Sequence, residues 1–343
     1  DYAGFAKRRK KSEARGLLRG IGIANPIEVA GGPLKQLRKD VARVTVRPDG
    51  QIVIAPGLMS VGQGHETALE RMASTRLGVD LQDIIYQQGD TDLLPSGKGS
   101  GGSAATVIGG SAVYVALKKF IATGKSVAAG VFGCNADAIR FESGLFHHSW
   151  DESKAPMDWA DIASHSNMAG GLSVLGEFLP PDVTYPNGCH ICEVEIDPAT
   201  GRVSFADYVV VEDVGTVLNQ DLVEGQMHGG IAQGIGQALG EILRHDSTGQ
   251  LITGSFMDYQ MPIAADFPNF RVSTIAVPTK INPLGAKGVG EAGTVGSLAA
   301  TMNAVVDAMA SVGVTNFEMP ATPNRVWQAL NASKSCNKMS IGK

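Results

Sequence analysis

Cysteine is scarce in this chain: four among 343 residues, at 134, 189, 192 and 336. Only Cys189 and Cys192 lie close together, and no second pair completes a four-sulfur site for zinc or an iron–sulfur cluster. The stretch 190–196 alternates like a strand, which sends side chains three positions apart to opposite faces, so the two thiols share no metal. Few thiols and no disulfide framework suit a reducing compartment, and the cytoplasm is the expected location. No uninterrupted apolar run reaches about 18 residues, so no membrane span is expected, and no signal peptide either. Charge of one sign is also lacking. Lys and Arg total 29 against 34 Asp and Glu, a net charge of −5, which gives no reason to expect a nucleic-acid partner. The basic block at 7–11, Lys-Arg-Arg-Lys-Lys, reads as one face of a helix over 5–15, turned to solvent or to an acidic partner. A phosphate loop is missing as well. Lys98 is followed by Gly99, and Gly124-Lys125-Ser126 has Lys119 where the motif needs its first glycine.

Glycine is abundant, at 43 residues, and it gathers near 57–64, 97–110, 225–240 and 285–296. No collagen-like period accompanies it, so the runs point to loops that hug a ligand or to close helix contacts. The stretch 282–312 is the most informative. Asn-Pro-Leu-Gly-Ala-Lys-Gly-Val-Gly-Glu-Ala-Gly-Thr-Val-Gly runs into a helix whose Leu298, Met302, Val305, Val306 and Met309 share one apolar stripe. Gly285, Gly288, Gly290, Gly293 and Gly296 let the backbone approach a ligand or take positive φ. A glycine-walled loop feeding a helix N-terminus is an anion site. The single carboxylate in it, Glu291, points to chemistry, because a cap alone is served by Ser or Asp.

Residues 288–293 also spell the dinucleotide fingerprint G-x-G-x-x-G. That motif needs a strand directly before it and an acid about twenty positions later at a strand end. Here Pro278, Asn282 and Pro283 follow the strand expected at 271–277, and Asp307 falls inside the helix. A flavin- or nicotinamide-dependent dehydrogenase built on this loop is the alternative reading.

Two hairpins organise the rest. Strands at 39–46 and 51–54 flank Pro48-Asp49-Gly50, and strands at 190–197 and 203–212 flank Pro198-Ala199-Thr200-Gly201. Each precedes a glycine-rich loop and a helix, the first ending near 77 and the second spanning 221–243. A strand at 84–88, a helix at 109–123, strand pieces at 138–141 and 145–148, and helices at 157–165 and 320–333 complete the pattern. The expectation is an α+β fold of two lobes, 1–180 and 181–343, each a mixed or antiparallel sheet with packed helices. In the helix at 221–243, Gly225, Gly229, Ala232, Gly236 and Gly240 form a small-residue stripe beside Gln226, Gly230, Gln233 and Gln237. Each helical glycine costs roughly 0.5–1 kcal/mol relative to Ala, so a close neighbour is expected along it.

Lys287-Gly288-Val289-Gly290-Glu291 resembles the active-site loop of the xanthine oxidase family of molybdenum hydroxylases, and most closely that of aerobic carbon monoxide dehydrogenase-like large subunits. The resemblance extends through Gly62-Gln63-Gly64-His65-Glu66-Thr67, Gly89-Asp90-Thr91-Asp92, the run 97–103, Asp213-Val214-Gly215-Thr216 with Asn219, and the glycine–glutamine helix, so it covers nearly the whole chain. Two departures stand out: Ala104 where the family often has Arg, and Gln220 where it has Pro.

The resemblance implies the C-terminal half of a molybdopterin-binding large subunit. It implies a molybdenum–molybdopterin cofactor, in the cytosine dinucleotide form, held by Gln63, Gly64, His65, Ser100, Gly101, Gly102, Ser103, Asp213, Gly215, Asn219, Gln226, Lys287, Gly288, Val289 and Gly290. Glu291 is then the catalytic base beside the metal, and no side chain of this chain ligates it. The implied reaction oxidises an aldehyde, an N-heterocycle or carbon monoxide with water as the oxygen source. The implied partners are the N-terminal half, in the same or a separate chain, an iron–sulfur subunit and an FAD subunit. A non-catalytic assembly subunit is a further alternative.

Overall fold

The computed structural model describes residues 1–166 and 170–340. The alternation around Pro48-Asp49-Gly50 folds as β2 (Asp40–Val46) and β3 (Ile52–Pro56), antiparallel, with Val46 opposite Ile52. β7 (Leu172–Phe178) pairs antiparallel with β2 on its other side, and β4 (Ile84–Tyr86) lies parallel to β3, giving the order β4-β3-β2-β7. Two helices, α2 (His65–Leu77) and α3 (Ser111–Phe132), cover this sheet. Gly176 lets α3 lie directly on β7, since a Cβ there would stand 2.4 Å from the Ala116 nitrogen. The hairpin β5 (Ile139–Glu142) and β6 (Leu145–His148) and the short helix α4 (Trp159–His165) close the lobe. Trp159 stacks on Phe120 at 4.5 Å and meets Phe146 edge-on at 4.9 Å, an arrangement aromatic rings prefer.

The second lobe is built on β8 (Asn187–Ile196) and β9 (Val203–Asp213), antiparallel with a bulge at Glu193/Val194. β10 (Arg271–Thr274) runs parallel to β9, and β1 (Leu18–Ala24) runs antiparallel to β8, in the order β1-β8-β9-β10. The helices α5 (Gln220–Leu239) and α6 (Ala292–Ala310) bury Met227, Ile231, Ala304 and Met309 with Val194, Tyr208 and Val210 of the sheet. Gly20 and Gly22 bring α6 onto β1, because a Cβ at either would stand about 2 Å from the Ala304 or Ala300 carbonyl. α1 (Phe5–Glu13) lies against β1, and α7 (Pro323–Ser340) closes the lobe.

The expectation of a first lobe starting at residue 1 is therefore corrected: α1 and β1 belong to the second sheet. Ion pairs fasten them there. Arg8 and Arg9 bind Glu193 and Asp307, and Arg19 reaches Glu193 at 2.6 Å and Glu195 at 3.0 Å. The basic block thus divides, with Lys7, Lys10 and Lys11 exposed. α3 runs nine residues beyond the expected 123, to Phe132, and the stretch 105–132 is long and apolar enough to cross a membrane by composition. In this fold it is the core helix of the first lobe, with Ala112, Val113, Ala116, Leu117 and Phe120 fully buried.

The thiols behave as the alternation requires. Cys192 is buried against the Ala300 carbonyl at 3.2 Å, and burial pushes its pKa up to about 12, while Cys189 is half-exposed. The side chain of Cys336 lies outside those described. Among the described residues no group of His, Cys, Asp and Glu is arranged to hold a metal ion.

Candidate active site

The lobes meet at a cleft of about 620 Å³. The first lobe contributes Gln63, Gly64 and His65 at the start of α2, and Ser100, Gly101, Gly102 and Ser103 before α3. The second contributes Asn219 and Gln226 of α5 and the loop Lys287, Gly288, Val289, Gly290 and Glu291. These residues are distant in sequence and meet only through the fold.

Glu291 caps α6 by position, with φ −108° and ψ −7°, but its carboxylate makes no capping bond. It is turned instead to the first lobe. The Ser103 hydroxyl donates to Glu291 Oε2 at 2.9 Å and accepts from the Glu291 N–H at 3.2 Å. Ser103 reaches this position with φ 51°, in the left-handed region. Gly288 is what allows the loops to touch: a Cβ there would lie 2.5 Å from Ser103 Cβ and 2.6 Å from Ala30 Cβ. Gly293 does the same for the helices, since its Cβ would stand 2.7 Å from the Met227 carbonyl.

Lys287 is held from behind by Asp213 in an ion pair whose side chains are each 12% exposed. Asp213 also accepts the Gly215 N–H at 2.9 Å and the Val277 N–H at 3.2 Å. Burial opposes its ionisation, yet Lys287 and these amides hold the carboxyl below the usual carboxylate range. Asp213 and Gly215 thus stand behind the wall of the cleft. Gly215, with φ 68°, pairs its backbone with Ala286, and the Lys287 N–H reaches the Val214 carbonyl at 2.8 Å. Asn219 caps α5 by accepting the Leu222 N–H at 3.2 Å. The Gln63 amide binds Ser100 Oγ at 3.2 Å and the Met59 carbonyl at 3.3 Å, tying the two glycine loops of the first lobe together. Burial lowers the pKa of His65, which keeps the ring neutral near neutral pH.

The glycine stripe of α5 needs correction. Gly225 and Gly229 have nothing within 4 Å of a built Cβ, whereas Gly230 and Gly234 sit on α6, 3.0 Å from Gly293 Cα and 2.0 Å from Ser297 Oγ. Gly236 and Gly240 face Pro262 and Gln260. The glutamines divide too. Gln226 enters the cleft, Gln233 lies 3.4 Å from Thr294 Oγ1, and Gln237 is exposed.

Sequence reasoning missed Glu28. It precedes Gly31-Gly32 on a segment whose Glu28 and Ala30 amides bond the Pro186 and Thr184 carbonyls, extending the ladder of β1 with β8. It is 8% exposed, and neither carboxyl oxygen has a hydrogen-bond partner among the described residues. Burial raises its pKa above the ordinary range, and the charges of Glu291 and Glu212 add to the rise. A lone acid between Ile27 and Val29 carries no periodic signal. Also missed was a buried set behind it: His190 Nδ1 lies 2.8 Å from the Tyr208 hydroxyl, and His190 Nε2 lies 3.7 Å from Glu212 Oε2.

Chemically, the cleft offers one ammonium, the amide side chains of Gln63, Asn219 and Gln226, two helix N-termini without side-chain caps and a carboxylate positioned by a hydroxyl. Gly62 and Gly101 have open space where a Cβ would stand, a cradle that larger residues would fill. An extended, polar, anionic ligand fits such walls. The dinucleotide-fold alternative does not fit, because β10 ends at Thr274 and no strand feeds the loop at 288–293.

Comparison with known proteins agrees. The pattern of the molybdopterin cofactor-binding domain matches residues 1–268. The chain is 36% identical over 325 residues to the carbon monoxide dehydrogenase large chain of Hydrogenophaga pseudoflava, covering 91% of this chain and 40% of that one. It is 34% identical over 350 residues to the nicotine 6-hydroxylase large subunit of Paenarthrobacter nicotinovorans, covering 96% and 42%. The structure of quinoline 2-oxidoreductase from Pseudomonas putida 86 superposes with a TM-score of 0.85 at 32% identity, over 96% of this chain and 44% of that chain. The chain therefore spans less than half the length of the relatives it matches. Fold, site and similarity converge: the chain belongs to the family of molybdopterin cofactor-binding domains found in molybdenum hydroxylases of the xanthine oxidase type.

Proposed function

We propose that the interlobe cleft holds a molybdenum–molybdopterin cofactor in its cytosine dinucleotide form, and that Glu291 is the base in the oxidation of a small molecule. One observation carries this reading: glycine loops from both lobes converge on a single carboxylate that Ser103 holds at 2.9 Å. Gln63, Gly64, His65 and the run from Ser100 to Ser103 would hold the cofactor from one side, and Asn219, Gln226 and the amides of Lys287 to Gly290 from the other. Asp213 and Gly215 act one step back, by setting Lys287 and the turn before it. When bound, the cofactor supplies a redox-active molybdenum that takes up two electrons from the substrate. Glu291 takes up a proton at its carboxylate, and Ser103 keeps that carboxylate pointed into the cleft.

An N-terminal half of the large subunit completes the site in this reading, and iron–sulfur and FAD subunits carry electrons away. The relatives are named for carbon monoxide, nicotine and quinoline, so the substrate is a carbon centre of that range or an aldehyde. Glu291→Gln in the intact complex is expected to retain molybdenum and cofactor by elemental analysis and extraction. Turnover is expected to fall by about 10²–10⁴, the usual worth of a general base. Turnover that survives the substitution removes Glu291 from this role, and a complex without molybdenum points to an assembly subunit instead.

A further inference from the structure

The chemistry proposed for the cleft leaves the buried set of β8 and β9 without a part, yet that set underlies both ends of the loop 287–291. His190 and Glu212 are 0% and 1% exposed. Their facing atoms, Nε2 and Oε2, lie 3.7 Å apart and have no hydrogen-bond partner among the described residues. The other ring nitrogen, Nδ1, is held by the Tyr208 hydroxyl at 2.8 Å. His190 is also the only ion-pair partner of Glu212 among the described residues. A buried carboxylate is costly unless paired, so removing either member strands the other. Gly188 permits the approach: it lies opposite Glu212 in the ladder, and a Cβ there would overlap Glu212 Oε2.

The pair meets the loop from two sides. α6 lies directly on the imidazole, because a Cβ at Gly296 would stand 2.5 Å from His190 Nε2. Gly296 follows Glu291 by five residues, about 7.5 Å along the helix. The ring therefore sets how deep the first turns of α6 sit, and Glu291 with them. At the other end, the residues just after Glu212 hold Lys287. Asp213 pairs with its ammonium, and the Val214 carbonyl accepts its N–H at 2.8 Å. Glu212 points into the core and Asp213 to the loop, as alternation along a strand requires.

We propose that His190 and Glu212 are a positioning pair: by pinning the end of β9 to the start of α6, they fix Lys287 and Glu291 relative to each other. Its catalytic meaning rests on the reading of Glu291 as base. The rigidity it gives the loop does not.

The test reads kinetics, molybdenum content and hydrogen exchange on variants of the intact complex. Glu212→Leu leaves His190 Nε2 without a partner, and His190→Phe keeps a ring under α6 but strips its nitrogens. Each should lower kcat about ten- to a hundredfold, with KM within about twofold and molybdenum retained. Exchange protection should fall at 286–291 and hold at 61–65 and 100–106, across the cleft. Glu212→Gln offers an amide N–H to Nε2 in the same shape, so its kcat should stay within about twofold of the parent. Because the two residues act as one unit, the double variant His190→Phe/Glu212→Leu should lose no more than either single change. Full kcat with unchanged protection at 286–291 in Glu212→Leu overturns the proposal, as does a Gln variant as impaired as the Leu variant. Protection lost equally on both walls of the cleft overturns it too. Should His190→Phe fail to fold, the contrast of Gln and Leu at 212 decides alone. If Glu291→Gln retains full turnover while protection follows the expected pattern, the pair stands and the reading of Glu291 falls.

Discussion

At φ 51° Ser103 occupies a backbone region that non-glycine residues seldom adopt, and it is also the residue that joins the two lobes at Glu291. Strain at such a position is held in place by the surrounding structure. Ser103→Gly relieves the strain and Ser103→Ala keeps it, while both lose the hydroxyl. A hydrogen bond to a charged group is worth about 1.5–3 kcal/mol. Both variants are therefore expected to lose roughly ten- to a hundredfold in kcat with molybdenum content unchanged, and thermal melts should rank Gly above Ala. Equal kcat in both variants and the parent would dismiss the hydroxyl. Glu28 adds a pH dependence with a definite sign. Its folded pKa is raised, so its contribution to stability is whole below the unfolded value near pH 4 and drains away as pH rises through the folded value. Melting temperatures of Glu28→Gln should thus gain on the parent from acid to neutral pH. At this scale the sequence disclosed Glu291 and Lys287, because glycine on both sides marks them. It hid Glu28, because a lone acid between Ile27 and Val29 carries no periodic signal and its burial arises only in the fold.

The crossing of α5 and α6 shows what elements demand of their glycines. Gly230, Gly234 and Gly293 sit where a Cβ would stand 3.0 Å or less from the opposite helix, while Gly225 and Gly229 have open space. Gly293→Ala forces backbone against backbone and should cost roughly 1–3 kcal/mol of stability, as overpacking does. Gly229→Ala only raises helix propensity and should add about 1 kcal/mol. Thermal melts of the two variants should therefore shift in opposite directions, and a shared direction would refute the crossing. Spacing in the sequence revealed that small residues line α5, but not which row meets α6, since adjacent rows differ by only one residue. Hairpins and long helices were legible for the opposite reason: β2–β3 and β8–β9 alternate around strong turn residues, and α6 keeps an apolar stripe. β1, Leu-Arg-Gly-Ile-Gly-Ile-Ala, was not, because Gly20 and Gly22 weaken strand character and serve the approach of α6 instead.

Across the whole molecule, two cores are joined by segments that pass between them, and the candidate cofactor site lies at the join. One core gathers Phe120, Phe146 and Trp159, the other Tyr208, Met227 and Met309. Because α1 and β1 belong to the second sheet, the chain enters the second lobe, builds the first and returns. The first lobe is one continuous segment and the second is split around it, which explains why a boundary drawn from sequence alone misplaces residues 1–24. A ligand gripped by both lobes binds only when both are folded, so it stabilises them together by RT ln(1 + [L]/Kd), about 4 kcal/mol at a thousandfold excess over Kd. Calorimetry of the cofactor-loaded protein should accordingly give one transition. After the cofactor is removed, that transition should fall in temperature and broaden or divide as the two cores melt separately. The hydrogen-exchange protection lost on removal should concentrate at 61–65, 100–106 and 286–291, the loops that line the cleft from each lobe. If loss instead fell in one lobe alone, with the melt of the other unchanged, the cofactor would belong to that lobe and not to the cleft between them.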